Sequence, residues 1–219
     1  MSRPFAEERN DVLEAVRRIY AAGLVSGSSG NVSRRIRMAD GDLIAITASR
    51  VPYERFTIDD VLVVDFEVEP IEGNGVPSSE SLCHMAVYQA RPDVGAVIHT
   101  HSIHASAFAV AGEPIPCILD EQVVTLGGPV EVAAYGASAS KALADQAVAA
   151  LGDRAAVLLR HHGVLGVGSD LGEAVAVVEL VERVARIRAI SVTLGAPREL
   201  PADVVRKEQR VYRMMKGFR

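Results

Sequence analysis

All six histidines of the chain, at positions 84, 99, 101, 104, 161 and 162, fall in one internal stretch. His99 and His101 lie in the apolar run 96–101, which reads as a buried strand. The strand period of two puts both imidazoles on one face, close enough to grip a single ion, with Thr100 pointing away. A third ligand must come from another segment. Arg160-His161-His162-Gly163 is the best source, because glycine lets the backbone turn sharply beside a ligand, and alternation along the chain sets His161 and His162 facing opposite ways. Three neutral ring nitrogens around Zn²⁺ would leave a coordination position open, which suits catalysis rather than structure. An isolated His-x-His is more often two rings satisfied separately in a core; the second histidine segment is what favours a metal. His84 and His104 read as packing or supporting groups.

Glu80 is the acidic residue that stands out. It falls in the first turn of a helix expected after Ser78-Ser79, where free amides and the helix dipole favour a carboxylate. Ser78 and Ser79 offer hydroxyls and amides to an anion at the same helix start. A base and an anion site would therefore lie side by side.

The surrounding pattern supplies elements to position these groups. Helical spacing of Val12, Leu13, Val16, Ile19 and Tyr20 before Gly23 predicts an amphipathic helix over 5–22. The stretch 26–31 is then a loop, and 31–37, 43–47 and 61–66 read as antiparallel strands. A helix follows Ser78 or Ser79 and ends before Arg91-Pro92. Beyond the 96–101 strand, 102–110 reads as a short helix and 115–125 and 130–133 as extended. A helix is expected over 138–151, strands over 155–159 and 164–167, and a long helix over 171–194. Helices do not alternate regularly with strands, so the pattern favours an α/β protein of the α+β type, a mostly antiparallel sheet with helical layers.

Composition narrows the partners. The chain has 219 residues, 49% hydrophobic and 23% charged, which excludes disorder for most of it and suits one domain over 1–219. Twenty-eight acidic and 23 basic side chains give a net charge of −5 with no basic stripe, which argues against nucleic acid. Residues 1–10 lack the apolar stretch of a secretory signal, and no apolar run approaches the roughly 18 residues needed to span a bilayer. A soluble cytoplasmic protein without a membrane partner is expected. Cys83 and Cys117 lack the spacing of a zinc or redox site and read as small apolar filler.

Five motifs in order resemble a known family: Ser26-Gly27-Ser28-Ser29-Gly30-Asn31-Val32-Ser33, Ile46-Thr47-Ala48-Ser49-Arg50-Val51-Pro52-Tyr53-Glu54, Pro77-Ser78-Ser79-Glu80, His99-Thr100-His101 and His161-His162-Gly163. Together, from about residue 8 to 190, they are similar to the class II aldolase/adducin family, closest to its aldolases of fuculose-type sugar phosphates. The resemblance implies a three-layer sandwich with a nine-stranded, largely antiparallel sheet, and a homotetramer with active sites at subunit interfaces. It also implies a catalytic Zn²⁺, with Mn²⁺ or Co²⁺ as alternatives. Carried over, the metal ligands are His99, His101, His162 and Glu80, and Glu80 doubles as the catalytic acid/base. The phosphate site would draw on Asn31, Ser49, Ser78 and Ser79, with the Ser28-Ser29-Gly30 loop closing over it.

The implied activity is retro-aldol cleavage of a small ketose 1-phosphate, of the L-fuculose or 5-deoxypentulose kind, to dihydroxyacetone phosphate and an aldehyde. Two departures from the family pattern bear on this. Arg50 stands where glycine is common, so it either clamps the phosphate or reads a carboxylate. The stretch 115–127 lacks the family's tyrosine, leaving Glu121 as a substitute second acid/base ahead of Tyr135 and Tyr212. Within the family a sugar-phosphate 4-epimerase, a methylthioribulose-1-phosphate dehydratase or a decarboxylase are alternatives, as is a non-catalytic adducin-like module. The three histidines and Glu80 argue against the last.

Overall fold

The structure is a computed structural model that describes residues 4–218. It opens with helix α1 (Ala6–Ala21) and runs through strands β1 (Asn31–Ile36), β2 (Leu43–Thr47), β3 (Val61–Val64) and β4 (Pro70–Glu72). Helix α2 (Ser81–Ala90), strand β5 (Ala96–Thr100), helices α3 (Ile103–Ala111) and α4 (Asp120–Leu126), and strand β6 (Glu131–Ala133) follow. The chain ends with α5 (Lys141–Leu151), β7 (Ala156–Leu159), β8 (Gly163–Gly168), α6 (Leu171–Thr193) and α7 (Ala202–Lys216). The strands form one sheet in the order β4-β3-β2-β1-β5-β8-β7-β6, antiparallel throughout except for the β6–β7 pair.

Helical layers cover both faces, as a three-layer α/β sandwich requires. On one face, α1 and α6 bury Val12, Val16, Ile19, Val175 and Val178 against Val32, Ile36 and Ile98. On the other, α2 and α5 bury Val87, Tyr88, Leu143 and Leu151 against Ile44, Ile46, Val97 and Leu165. A third cluster joins α3, α4 and α6 to β7 and β8 through Ala105, Ala109, Leu126, Leu158, Val164 and Val181. Burial on both faces explains why β3, β5, β7 and β8 read as continuous apolar runs rather than alternating ones.

Several expectations change, each for a local reason. The sheet has eight described strands, not nine. The stretch 115–125 is not extended: it keeps a single bridge, Ile115 to Val130, and then enters α4. Its β-branched run Val123-Val124-Thr125 suggested a strand. Asp120 and Glu121 in the first turn and Gly127 as a left-handed C-cap outweigh that preference. The strand expected over 61–66 stops at Val64 because the Asp65 carboxylate accepts from the amides of Glu67 and Glu69 and closes a turn. Strand β4, short and largely exposed, carries too little pattern to be anticipated. Helix α5 starts at Lys141, capped by Ser140, rather than at 138.

Gly127 also makes room for α7. It sits at φ 83°, and an added Cβ would lie 2.6 Å from the Tyr212 ring, whose hydroxyl donates to the Asp153 carbonyl at 2.8 Å. We expect Gly127→Ala to cost about 2–4 kcal/mol from left-handed strain and the displaced ring, read as a lower midpoint in chemical denaturation.

Candidate metal centre and anion pocket

Three central strands bring the chemistry-bearing residues together. β1 and β8 flank β5, with Asn31 opposite His99 on one side and Leu165 opposite His99 on the other. His101 follows β5 directly, and His162 ends the turn between β7 and β8. Gly163 is required there: a Cβ would lie 2.3 Å from the Thr100 carbonyl and 3.1 and 3.2 Å from the rings of His101 and His99. Only glycine lets β8 start so close beneath two imidazoles.

The three rings form a tripod. Ring nitrogens of His99, His101 and His162 all lie within 4.8 Å of one another, and the rings meet edge to face with centroids 4.7–5.0 Å apart. His99 Nδ1 donates to the Val164 carbonyl at 2.8 Å, which fixes its tautomer and turns the Nε2 lone pair toward the cluster. His99 Nε2 stands 2.9 Å from His101 Nε2. The period-two expectation for His99 and His101 therefore matches the geometry. Between His161 and His162 the structure selects His162: His161 adopts φ 57° in the turn and its ring meets Tyr135 instead.

Glu80 closes the cluster. It is the N-cap residue of α2 rather than a first-turn residue, and its side chain caps nothing. One oxygen lies 3.0 Å from His162 Nε2 and accepts from the Ser138 hydroxyl at 2.8 Å. The other lies 3.1 Å from His99 Nε2 and accepts from the Asn31 amide at 3.1 Å. Burial would raise its pKa, but the His162 bond, the fields of His99 and His162 and the Ser138 bond together hold it well below the usual carboxylate range. Glu80 is thus ionised at neutral pH. Burial pushes His99 down to about 3 and lowers His101 as well, so both are neutral, the form that binds metal. Ser138 escaped the sequence reading; a serine in a loop carries no spacing signal, and only the late start of α5 frees it.

Next to this cluster opens a cavity of about 200 Å³ lined by Ser28, Ser29, Gly30, Asn31, Ala48, Ser49, Arg50, Ser78, Ser79, Glu80, His101, Ser138 and His162. Every residue anticipated for an anion site is among them. Cross-bonds hold the loops in place: the Tyr53 hydroxyl donates to the Gly30 carbonyl and the Tyr53 amide to that of Gly27, both at 2.8 Å. The amides of Ser49 and Ser78 are spent on Val76 and Thr47, which ties the 48–50 loop to the 77–80 loop. Arg50 is exposed at φ 62°, and its guanidinium makes no hydrogen bond or ion pair among the described residues. A larger cleft of about 820 Å³ lies at the other end of β1 and has no ligand cluster. Arg34 and Asp11 pair within it, and its Arg18 pairs with Glu179 outside it.

Other candidate groups lie elsewhere. Glu121 begins α4 and pairs with Arg183 of α6 at 2.6 Å, outside the cavity lining. Tyr212 is the buried residue of α7 and donates to the Asp153 carbonyl. His104 bonds Glu182, whose carboxylate also accepts from the amides of His104 and Ala105 at the start of α3. His84 is fully buried and bonds the Ser33 hydroxyl at 2.7 Å.

Residues 10–189 match the Class II Aldolase and Adducin N-terminal domain. The chain belongs to the class II aldolase and adducin family. Among curated relatives, this family member is 33% identical over 198 residues to a 5-deoxy-D-ribulose 1-phosphate aldolase of Bacillus thuringiensis serovar kurstaki, covering 90% of this chain and 91% of the relative. It is 32% identical over 200 residues to the L-fuculose phosphate aldolase of Escherichia coli K12, with the same coverage. Among solved structures, an L-fuculose 1-phosphate aldolase superposes with a TM-score of 0.88 at 31% identity, covering 94% of this chain and 96% of that one. The eight-stranded sandwich is therefore the class II aldolase fold.

Two buried imidazoles held neutral make the metal-free protein acid-sensitive. His99, pushed to about 3, and His84, pushed by burial to about 4, both take up protons more readily in the unfolded chain, whose histidines titrate near 6.5. Their contribution is complete above that value and is lost as pH falls toward the folded values. Stability should decline on the order of 1 kcal/mol per pH unit for each ring between about pH 6 and 4, measured by denaturant titration of chelator-treated protein. A flat profile over that range would contradict the assignment of buried neutral rings.

Proposed function

We propose that the chain is a metal-dependent aldehyde-lyase, a class II aldolase that cleaves a small ketose 1-phosphate to dihydroxyacetone phosphate and an aldehyde. The substrate would be of the L-fuculose 1-phosphate or 5-deoxyribulose 1-phosphate kind. The observation that carries this reading is the junction of the His99–His101–His162–Glu80 cluster with a serine-lined cavity bordered by Arg50, whose guanidinium has no partner among the described residues. The named relatives supply the substrate class.

The donor set fits a divalent cation. Three imidazole rings and one ionised carboxylate converge from α2, β5 and the β7–β8 turn, and His99 already has its outer nitrogen engaged. Such a set suits Zn²⁺, with Mn²⁺ and Co²⁺ as alternatives. A cation bound there supplies Lewis-acid stabilisation of negative charge on the oxygen beside the breaking bond. The chain's own residues do the rest. Ser28, Ser29, Asn31, Ser49, Ser78 and Ser79 surround the phosphate, Gly30 gives it access, and Arg50 neutralises it with a planar, bidentate donor set. Asn31 Oδ1, buried without a partner among the described residues, is free to accept from a substrate hydroxyl.

In the retro-aldol direction the C3–C4 bond breaks, the C4 hydroxyl loses its proton to become the aldehyde, and C3 gains one. The C4 proton leaves to solvent through a second acid/base, while Glu80, ionised at rest, takes up a proton from solvent and delivers it to C3; in the reverse direction Glu80 removes the C3 proton. Glu121 takes part only from a neighbouring copy, since within one chain it is held by Arg183. A homotetramer with sites at subunit interfaces accommodates this, and exposed Ile103 and Val110 on α3 and Ile187 and Ile190 on α6 support association. We assign the 219 residues to one domain and the enzyme to the cytoplasm. No helix of the described residues is long and apolar enough to cross a membrane.

A panel of ketose 1-phosphates, with dihydroxyacetone phosphate release coupled to NADH oxidation, tests the reading. At least one member should be cleaved, and Glu80→Gln should lower kcat by roughly 10² or more, as removal of a general acid/base does. No release from any substrate would overturn the aldolase assignment. Arg50→Gly should raise KM for the phosphorylated substrate about tenfold while leaving the thermal midpoint equal or higher, because glycine relieves the left-handed strain at that position. An unchanged KM would remove Arg50 from the anion site.

A further inference from the structure

Behind the metal centre, α2 meets β1 through a buried polar ladder. Asn31 donates to Glu80. The Ser33 hydroxyl bonds both His84 Nδ1 at 2.7 Å and the Tyr88 hydroxyl at 2.8 Å. Arg35 donates to the Tyr88 carbonyl, and its guanidinium lies 4.9 Å from the centre of the Tyr88 ring. Residues 31, 33 and 35 share one face of the strand, and residues 80, 84 and 88 share one face of the helix. Four helical residues advance about 6.0 Å and two strand residues about 6.7 Å, so three successive rungs stay aligned.

Packing alone does not account for these residues. Ser33 and His84 are fully buried and Tyr88 is 1% exposed, at positions where apolar side chains would fill the same space without desolvation cost. His84 Nε2 has no partner among the described residues. Apolar contacts let a helix slide by fractions of an ångström, whereas hydrogen bonds are directional.

We propose that the Ser33–His84–Tyr88 hydrogen-bond chain is the positioning device that sets the register of α2 on β1 and thereby holds the Glu80 carboxylate between His99 and His162. His84, Ser33 and Tyr88 are positioning residues; none of them lines the cavity. The inference rests on the reading of His99, His101, His162 and Glu80 as a metal site.

The test uses the full chain loaded with Co²⁺, whose visible absorption reports ligand number and geometry. Tyr88→Phe and Ser33→Ala remove one hydroxyl each, while Ser33→Thr keeps it. The two deletions, folded by circular dichroism, should alter the visible bands and raise the Co²⁺ dissociation constant about tenfold, as loss of outer-sphere support does. With whichever ketose 1-phosphate the enzyme cleaves, kcat should fall 10- to 100-fold with KM changed less than threefold, since Ser28, Ser29, Ser49 and Arg50 of the anion pocket sit on loops outside the ladder. Ser33→Thr should resemble the parent in all three. Folded deletion variants with parental spectrum, affinity and kcat would overturn the ladder's role and leave the metal reading standing. A parent protein that takes up no Co²⁺ would overturn the metal reading first, and the ladder's purpose with it.

Discussion

A buried carboxylate facing one buried and one half-buried imidazole is the interaction to which the other parts of the chain answer. Glu80 is 8% exposed and ionised, and an ionised carboxylate in that setting is tolerated only when each oxygen has partners. Those partners come from β1, β5, the loop before α5 and the β7–β8 turn, so they span residues 31 to 162. Displacing any one of these segments removes one of the two partners of a Glu80 oxygen. The site is in this sense the contact that closes the fold, not an addition to its surface.

The sheet makes this closure possible because β1, β5 and β8 are neighbours although far apart in sequence. Antiparallel pairing sets Asn31, His99 and Leu165 level with one another, so the ends of three strands open at the same height. Apolar layers on both faces hold the sheet rigid, and the loops that leave its ends carry the polar groups. Bonds from Tyr53 and from the amides of Ser49 and Ser78 keep those loops from depending on a ligand for their shape. The arrangement is pre-organised for an anion next to a cation, which reduces the ordering that binding would otherwise require.

Local conformation is spent around the same place. Arg50 and His161 both hold positive φ, a backbone state that non-glycine residues adopt at a cost of about 1–3 kcal/mol each. One carries an unpaired cation to the cavity, and the other turns the chain so that His162 and not His161 joins the cluster. The core clusters on either face of the sheet offset such costs.

Much of this could be read from residue order alone. Period-two spacing placed His99 and His101 together, a glycine after His162 marked a sharp turn, and the periodicities of 5–22 and 171–194 foretold helices α1 and α6. These are local properties, set by backbone geometry within a few residues. The stretch 115–125 was misjudged because β-branched propensity and capping point opposite ways there, and contact of α4 with α6 and α7 settles the contest. Likewise the recruitment of Ser138, the removal of Glu121 and Tyr212 from their own chain's cavity, and the α2–β1 ladder depend on strand order and helix register. Those follow from which distant segments pack together, and no window of neighbouring residues contains that information.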